Sequence, residues 1–382
     1  MIHQFVVPEK ILIGDNILET SDNVFSKYGK KALIITGPHV VKSVMMEELE
    51  CALRKENIEY EVFSGITSEP THKMIEEGVQ IFKDGKCDFS IGIGGGSPLD
   101  SAKAIAAMSV FPGKISDYNG KEINGDIPPI IAIPTTAGTG SEATRFTIIT
   151  DNEKDIKMLL KGDPLVPRLA IVDYNYSLSS PTSVTVATGL DALTHAVESY
   201  ISKKAMPLTD VYSLSAVMKI MEWLPVAVSD GSNLEARKQM SIAALEAGIC
   251  INNSSVTVVH GMSRPIGALF HVPHGISNAM LLTVCLEDML NSATARFGNL
   301  GKAIGLEGID DMEVANKFIS RVKQLCSYCK VPTLEGYGIG EADFMEKIDK
   351  MSIDAIASGS PSNAPKNYSA SDCRGLYIKA YK

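Results

Sequence analysis

A two-domain chain, with an α/β half followed by an all-helical half, is what three features of the sequence predict. Apolar strand-like runs alternate with helical stretches up to about residue 180, and glycine-rich turns follow two of those runs. From about Thr182 onward helical periodicity continues without a convincing strand. The boundaries that follow are 1–181 for the α/β domain and 182–382 for the helical one. Length agrees, because 382 residues exceed one small core and fit two domains at roughly 100–200 residues each.

Taken in order, residues 1–14 alternate weakly through FVVPEKILIG and suit an edge hairpin. KALIIT (31–36) is a short apolar strand that runs through Gly37 and Pro38 into a helical stretch ending near Lys55, and IEYEVFS (58–64) is a second strand. A helix from Thr71 to Phe82 precedes CDFSIGIGGGSPLDSAKAIAA, which reads strand, glycine turn, helix. IIAIP (130–134) and LAIVD (169–173) add strands, and the alternation predicts parallel pairing through right-handed crossovers. The helical half carries segments 186–202, 209–229, 235–252, 278–292 and 312–330, without internal repeats or low-complexity stretches.

Composition excludes several function classes. Apolar content of 45% and charged content of 21% are those of a soluble globular protein, and a net charge of −9 with no Lys/Arg block argues against a nucleic-acid partner. No basic-then-apolar leader opens the chain and no run approaches the roughly 18 apolar residues of a membrane span, so a cytoplasmic protein without a membrane partner is expected. Seven scattered cysteines form no disulfide framework and fit a reducing compartment. Cys326 and Cys329 form a lone CxxC that lacks the second pair or the nearby histidine a metal site needs.

Two loops read as nucleotide-binding. Gly94-Gly95-Gly96-Ser97 lies between an apolar strand and a helix, where glycines let the backbone approach a diphosphate and the helix N-terminus offers free N–H groups. Asp100 and Lys103 follow in the first turns of that helix, and no GK[ST] makes it a Walker A loop. IPTTAGTGSEAT (133–144) repeats the arrangement, and Thr135, Thr136, Gly138, Thr139, Gly140 and Ser141 can hydrogen-bond a nucleotide at the end of a parallel strand. Gly37 stands where many nucleotide-binding sheets place a carboxylate against the adenosine ribose, which leaves room for NADP beside NAD.

The histidines are concentrated. His260, His271 and His274, three of the chain's seven, fall within VHGMSRPIGALFHVPHGISN (259–278), and ATGLDALTHAVESY (187–200) places Asp191 and His195 one helical turn apart on one face. Joined with His260 and His274, Asp191 and His195 supply one carboxylate and three imidazoles, which suit a borderline divalent metal, Fe²⁺ or Zn²⁺, and are too nitrogen-rich for Mg²⁺ or Ca²⁺.

GGGSPLDSAK, PTTAGTGSEAT, GLDALTHAVESY and HGMSRPIGALFHVPHGISNA, in this order and spacing, resemble the iron-containing (group III) alcohol dehydrogenase family over essentially the whole chain, to the closing ASGSPSNAPKN (357–367). The resemblance implies the dehydroquinate synthase-like architecture of a dinucleotide domain and a helical domain, with cofactor and metal in the cleft between them. It implies metal ligands at Asp191, His195, His260 and His274, a diphosphate loop at Gly94 to Ser97 with Asp100 near the nicotinamide end, and a second nucleotide loop at Thr135 to Ser141. It also implies NAD(P) as hydride carrier, with the lean at Gly37 toward NADP, a small alcohol or aldehyde as substrate, and a homodimer or larger homo-oligomer. His271 is left outside the ligand set, since the spacing of His260 and His274 matches the family better.

Two departures bear on substrate. Many members carry a histidine four residues after the third ligand, where this chain has Arg264, a side chain that cannot relay protons but can grip an oxyanion with two parallel donors. With Arg145 as another cation, this points to a short aldehyde or alcohol bearing a sulfonate, phosphonate or carboxylate, such as sulfoacetaldehyde or a semialdehyde. The competing expectation pairs Arg264 with a protein carboxylate and leaves a plain short-chain alcohol. Ile251 replaces an aromatic residue that often lines the pocket in relatives. The other readings are a dehydroquinate-synthase-like NAD/zinc lyase, which needs more Lys and Arg around the metal, and a non-catalytic nucleotide-binding protein with a vestigial metal site.

Overall fold

Apolar runs bounded by turns form the strands, and the structure, a computed structural model, describes residues 2–154 and 156–382. Two compact units divide between Ser180 and Pro181, with the residues up to Phe5 belonging to the helical unit.

In the α/β unit β1 (Lys10–Gly14), β2 (Lys31–Ile35), β3 (Glu59–Phe63), β4 (Phe89–Gly94), β5 (Ile130–Pro134) and β8 (Leu169–Asp173) form one parallel sheet, in the order β1-β8-β5-β4-β2-β3. Between β5 and β8 an antiparallel ribbon, β6 (Phe146–Asp151) with β7 (Ile156–Lys161), stands outside that sheet. Helices α1 (Ile17–Thr20), α2 (Val44–Lys55), α3 (His72–Asp84) and α4 (Gly96–Val110) supply the crossovers and flanks. Two apolar layers result, one containing Leu33, Ile35 and Ile105 and the other Ile34, Ile91 and Ile133. Successive residues of a strand point to opposite faces, so a strand buried on both faces reads as a continuous apolar run.

Two expectations differ from this. No hairpin forms at the start of the chain, because β1 pairs in parallel with β8, more than 150 residues away, and the residues before it contribute no strand. The β6–β7 ribbon is an addition to the expected strands; burial alternates along β6, but neither FTIITD nor IKMLLK alternates apolar with polar residues.

Strand order reverses between β2 and β4, and in such sheets ligands bind at the carboxyl ends of the strands flanking the reversal. Gly37 follows β2 and the Gly94–Ser97 turn follows β4, so both sit at that place.

The helical unit contains α5 (Thr182–Ile201), α6 (Pro207–Ser229), α7 (Leu234–Ser254), α8 (Val258–Phe270), α9 (His274–Met289), α10 (Thr294–Ala303), α11 (Asp311–Tyr328), α12 (Glu341–Ala357) and α13 (Ala370–Tyr381). α5 is central, with every residue from Gly189 to Ile201 buried, and it packs on α6, α7 and α9. A helix buried all round is the signature of a core element. α6 is long and apolar enough, by length and composition, to cross a membrane, which the sequence reading did not anticipate; here it packs along α5 and α7. Cys326 and Cys329 are buried, and burial pushes their thiols up to about 12 and about 11, which makes both poor nucleophiles and metal ligands.

Under the second loop of the α/β unit lies a buried charged cluster. Lys103, fully buried, donates to Thr144 Oγ1 at 3.0 Å and to the Phe146 carbonyl at 2.8 Å. Burial lowers its pKa to about 8 and raises the buried Glu142 carboxyl to about 7. A carboxyl raised on folding contributes stability that is full below its unfolded value, 4.5, and lost as pH rises through about 7. Lys103, lowered on folding, loses its contribution as pH falls through about 8, so it acts mainly above that window. Glu142→Gln should therefore flatten the fall in melting temperature between pH 5 and pH 7, measured by calorimetry; a slope equal to wild type contradicts the assignment.

Candidate metal centre and nucleotide loops

Charged side chains on a fully buried helix need partners, since an unpaired charge away from water is costly. α5 carries Asp191, His195 and Glu198 on one face, at spacings of four and three residues, and all three are buried. The turn between α7 and α8 brings His260 beside them, and α9 begins with His274. Asp191 Oδ1 lies 3.8 Å from His195 Nε2, 3.5 Å from His260 Nε2 and 3.8 Å from His274 Nε2. Donors each about 2.1 Å from one ion at a tetrahedral angle are about 3.4 Å apart, so this spacing fits a single first-row cation. The ligand atoms of Asp191, His195 and His260 converge as a group of three that could hold a metal, and His274, a third exposed, reaches the same carboxylate oxygen.

Burial alone would raise the Asp191 carboxyl, but His195, His274 and His260 outweigh it and hold it well below the usual range. The buried His260 ring is likewise lowered by desolvation and raised more strongly by Glu198 and Asp191, to about 8.

Glu198, which little in the local sequence singles out, joins this set. Its Oε2 is 2.5 Å from His260 Nδ1, its Oε1 accepts from Val259 N at 2.8 Å and from the Thr257 hydroxyl, and despite burial these contacts hold its pKa below the usual range. Such a carboxylate–imidazole pair fixes the tautomer that leaves Nε2 with its lone pair free and would make that nitrogen a stronger donor to a cation. The available signal was its place three residues after His195. Gly275 was also missed: a Cβ there would stand 2.2 Å from the Ala187 carbonyl, so only glycine lets the start of α9 approach α5 this closely. His271 caps α8 in the left-handed conformation and is exposed.

Arg264 lies one turn after His260 on α8. It is partly buried, its Nε is fully enclosed without a partner, and among the described residues it makes no hydrogen bond or ion pair. Burial lowers its pKa to about 10, with Glu198 opposing, so it stays charged. Among the described residues, the pairing with a protein carboxylate that the plain-alcohol reading calls for is absent. Arg145, in contrast, is engaged by Asp163 Oδ1 at 2.5 Å.

In the α/β unit, α4 starts at Gly96 with no side-chain cap, leaving its first-turn N–H groups available to an anion. The second loop is laid against the first by Thr135 N to the Gly94 carbonyl at 2.8 Å, and a Cβ on Gly96 would meet Thr139 at 2.8 Å. Gly95, Gly96, Ser97, Thr136 and Thr139 are half-buried and accessible. Asp100 and Ser141 are committed to each other: Asp100 Oδ1 accepts from Ser141 Oγ at 2.6 Å and Oδ2 from Ile148 N at 2.8 Å, so this carboxylate ties α4 to the loop and to β6. At Gly37 a Cβ would lie 2.9 Å from the Ile66 carbonyl, which gives that glycine a packing reason independent of the cofactor.

With this geometry in place, comparison with known proteins decides the family. Residues 8–174 match the family model for iron-containing alcohol dehydrogenase, and residues 185–381 match that for the C-terminal part of the Fe-containing alcohol dehydrogenase family. The chain belongs to the iron-containing alcohol dehydrogenase family. It is 34% identical to an NAD-dependent methanol dehydrogenase of Bacillus methanolicus, over 89% of this chain and 90% of that one. It is 31% identical to an NADPH-dependent butanol dehydrogenase of Clostridium saccharobutylicum, over 99% and 98%. A crystal structure of 1,3-propanediol oxidoreductase superposes with a TM-score of 0.95 at 31% identity, covering 100% of both chains. Family membership makes the chain an oxidoreductase of the alcohol dehydrogenase class and sets aside the lyase and the non-catalytic readings.

If Glu198 orients His260, Glu198→Gln should weaken divalent-metal affinity about 10–100-fold in a chelator competition while leaving the fold intact by circular dichroism. Unchanged affinity would show that the contact is structural only.

Proposed function

We propose that the protein is a cytoplasmic, metal-dependent, NAD(P)H-linked enzyme interconverting a short-chain alcohol and aldehyde that carries an acidic group. Asp191, His195, His260 and His274 hold the metal, and Gly94 to Ser97 with Thr135, Thr136 and Thr139 hold the dinucleotide. When bound, the metal supplies Lewis acidity toward the substrate oxygen and the nicotinamide supplies or accepts hydride. The chain's own residues supply position and charge. Asp191 offsets the cation, Glu198 keeps His260 in the tautomer whose Nε2 can donate, and the uncapped start of α4 receives the diphosphate.

Arg264 carries the substrate reading. It is a charged, partly buried guanidinium one turn from His260 with an enclosed Nε and, among the described residues, no carboxylate in ion-pair contact, and a sulfonate, phosphonate or carboxylate would satisfy it. Unable to relay protons, Arg264 leaves proton transfer to water or a ribose hydroxyl. The cofactor lean is toward NADP(H), supported by the lack of a carboxylate at Thr36, Gly37 and Pro38 where β2 ends. All seven cysteines are free, which fits a reducing compartment. A second reading, a plain short-chain alcohol, is favoured by the uncharged substrates in the relatives' names.

An anaerobic assay of Fe²⁺-loaded protein with NADH and NADPH, against paired neutral and anionic short aldehydes, separates the two. Arg264→Ala should lower kcat/KM for the anionic aldehyde about 10–100-fold, chiefly through KM, as expected for a lost charged hydrogen bond, and change propanal far less. An equal effect on both aldehydes would leave the plain-alcohol reading.

A further inference from the structure

Asn278 is fully buried on α9, one turn after His274. Its amide Nδ2 is 2.7 Å from Asp191 Oδ1, 3.0 Å from His260 Nε2 and 3.2 Å from His274 Nε2. One side-chain amide thus addresses candidate ligand atoms from α5, α8 and α9. The other end of the same group, Oδ1, is buried with no hydrogen-bond partner. Buried carbonyl oxygens are rarely left that way, so the contacts at Nδ2 are what hold the side chain. Turning the amide over would set its carbonyl oxygen against the Asp191 carboxylate, acceptor against acceptor.

We propose that Asn278 is a positioning residue of the metal centre, whose amide keeps the Asp191 carboxylate and two imidazoles convergent so that a cation meets a preassembled ligand set. The proposal rests on the reading of Asp191, His195, His260 and His274 as ligands. A carboxylate oxygen has more than one lone-pair site and can keep the amide contact beside a cation, whereas each imidazole Nε2 has a single lone pair to give. With two N–H groups for three acceptors, the amide gives one to Asp191 throughout and shares the other between the two imidazoles before binding. Preassembly reduces the ordering cost of binding, so its effect falls on metal affinity and on the electronic character of the site.

The test uses Co²⁺ as probe on the full-length protein, comparing wild type, Asn278→Ala, Asn278→Asp and His260→Ala, with circular dichroism to verify folding. Asn278→Ala should bind Co²⁺ about 10–100-fold more weakly and show an altered visible spectrum. Asn278→Asp keeps the shape of the side chain but sets a second carboxylate beside Asp191. After chelation it should melt below wild type, and added Co²⁺ should raise its melting temperature by more than it raises that of wild type. Unchanged Co²⁺ affinity and spectrum in Asn278→Ala, or equal melting losses with and without Co²⁺ in both variants, would overturn the proposal while leaving the ligand reading intact. His260→Ala binding Co²⁺ as tightly as wild type would overturn both.

Discussion

Two carboxylates, Asp191 and Glu198, sit buried on one face of the central helix α5, and the helical unit is arranged around keeping both charged. Isolated, each would be driven toward its neutral form. His260 lies between them, with Nε2 3.5 Å from Asp191 and Nδ1 2.5 Å from Glu198, so one imidazole is polarised from both sides. That requirement fixes where α8 must start and how close α9 must come, and it accounts for glycine at 275 and for the backbone N–H of Val259 on Glu198. A cation at the proposed convergence of Asp191 and the three histidines would complete the same charge balance.

The α/β unit solves a different problem, which is to leave backbone donors free without letting the loops wander. The uncapped first turn of α4 stays available because the surrounding loop is held elsewhere, by Asp100 on Ser141 and Ile148 and by buried Lys103 on Thr144 and Phe146. Asp100, expected near the nicotinamide, is thus occupied as a tie between α4, the second loop and β6. Accessible donors are left to Gly95, Gly96, Ser97, Thr136 and Thr139.

What the sequence made legible follows from what leaves a local mark. Doubly buried strands such as LAIVD and IIAIP show as apolar runs, and Asp191 and His195 show as a same-face pair, because both patterns are set by neighbours in the chain. The parallel pairing of β1 with β8 left no such mark, since its partner lies at the far end of the domain and the weak alternation before it mimics a hairpin. Glu198 and Asn278 were invisible for a related reason. Each looks like an ordinary polar residue of an amphipathic helix until tertiary packing shows that its face points into the protein. Arg264 stands out only against the family pattern, and tertiary packing alone decides that its buried Nε has no partner among the described residues.

The central claim is that one divalent cation is held jointly by α5, α8 and α9. Crystals loaded with Fe²⁺ or Zn²⁺, with anomalous data collected on both sides of the metal's absorption edge, test it most directly. The account predicts a single strong anomalous peak within bonding distance, about 2.0–2.2 Å, of Asp191, His195, His260 and His274. A peak that leaves out any of these four side chains, or one centred elsewhere in the helical unit, would contradict it.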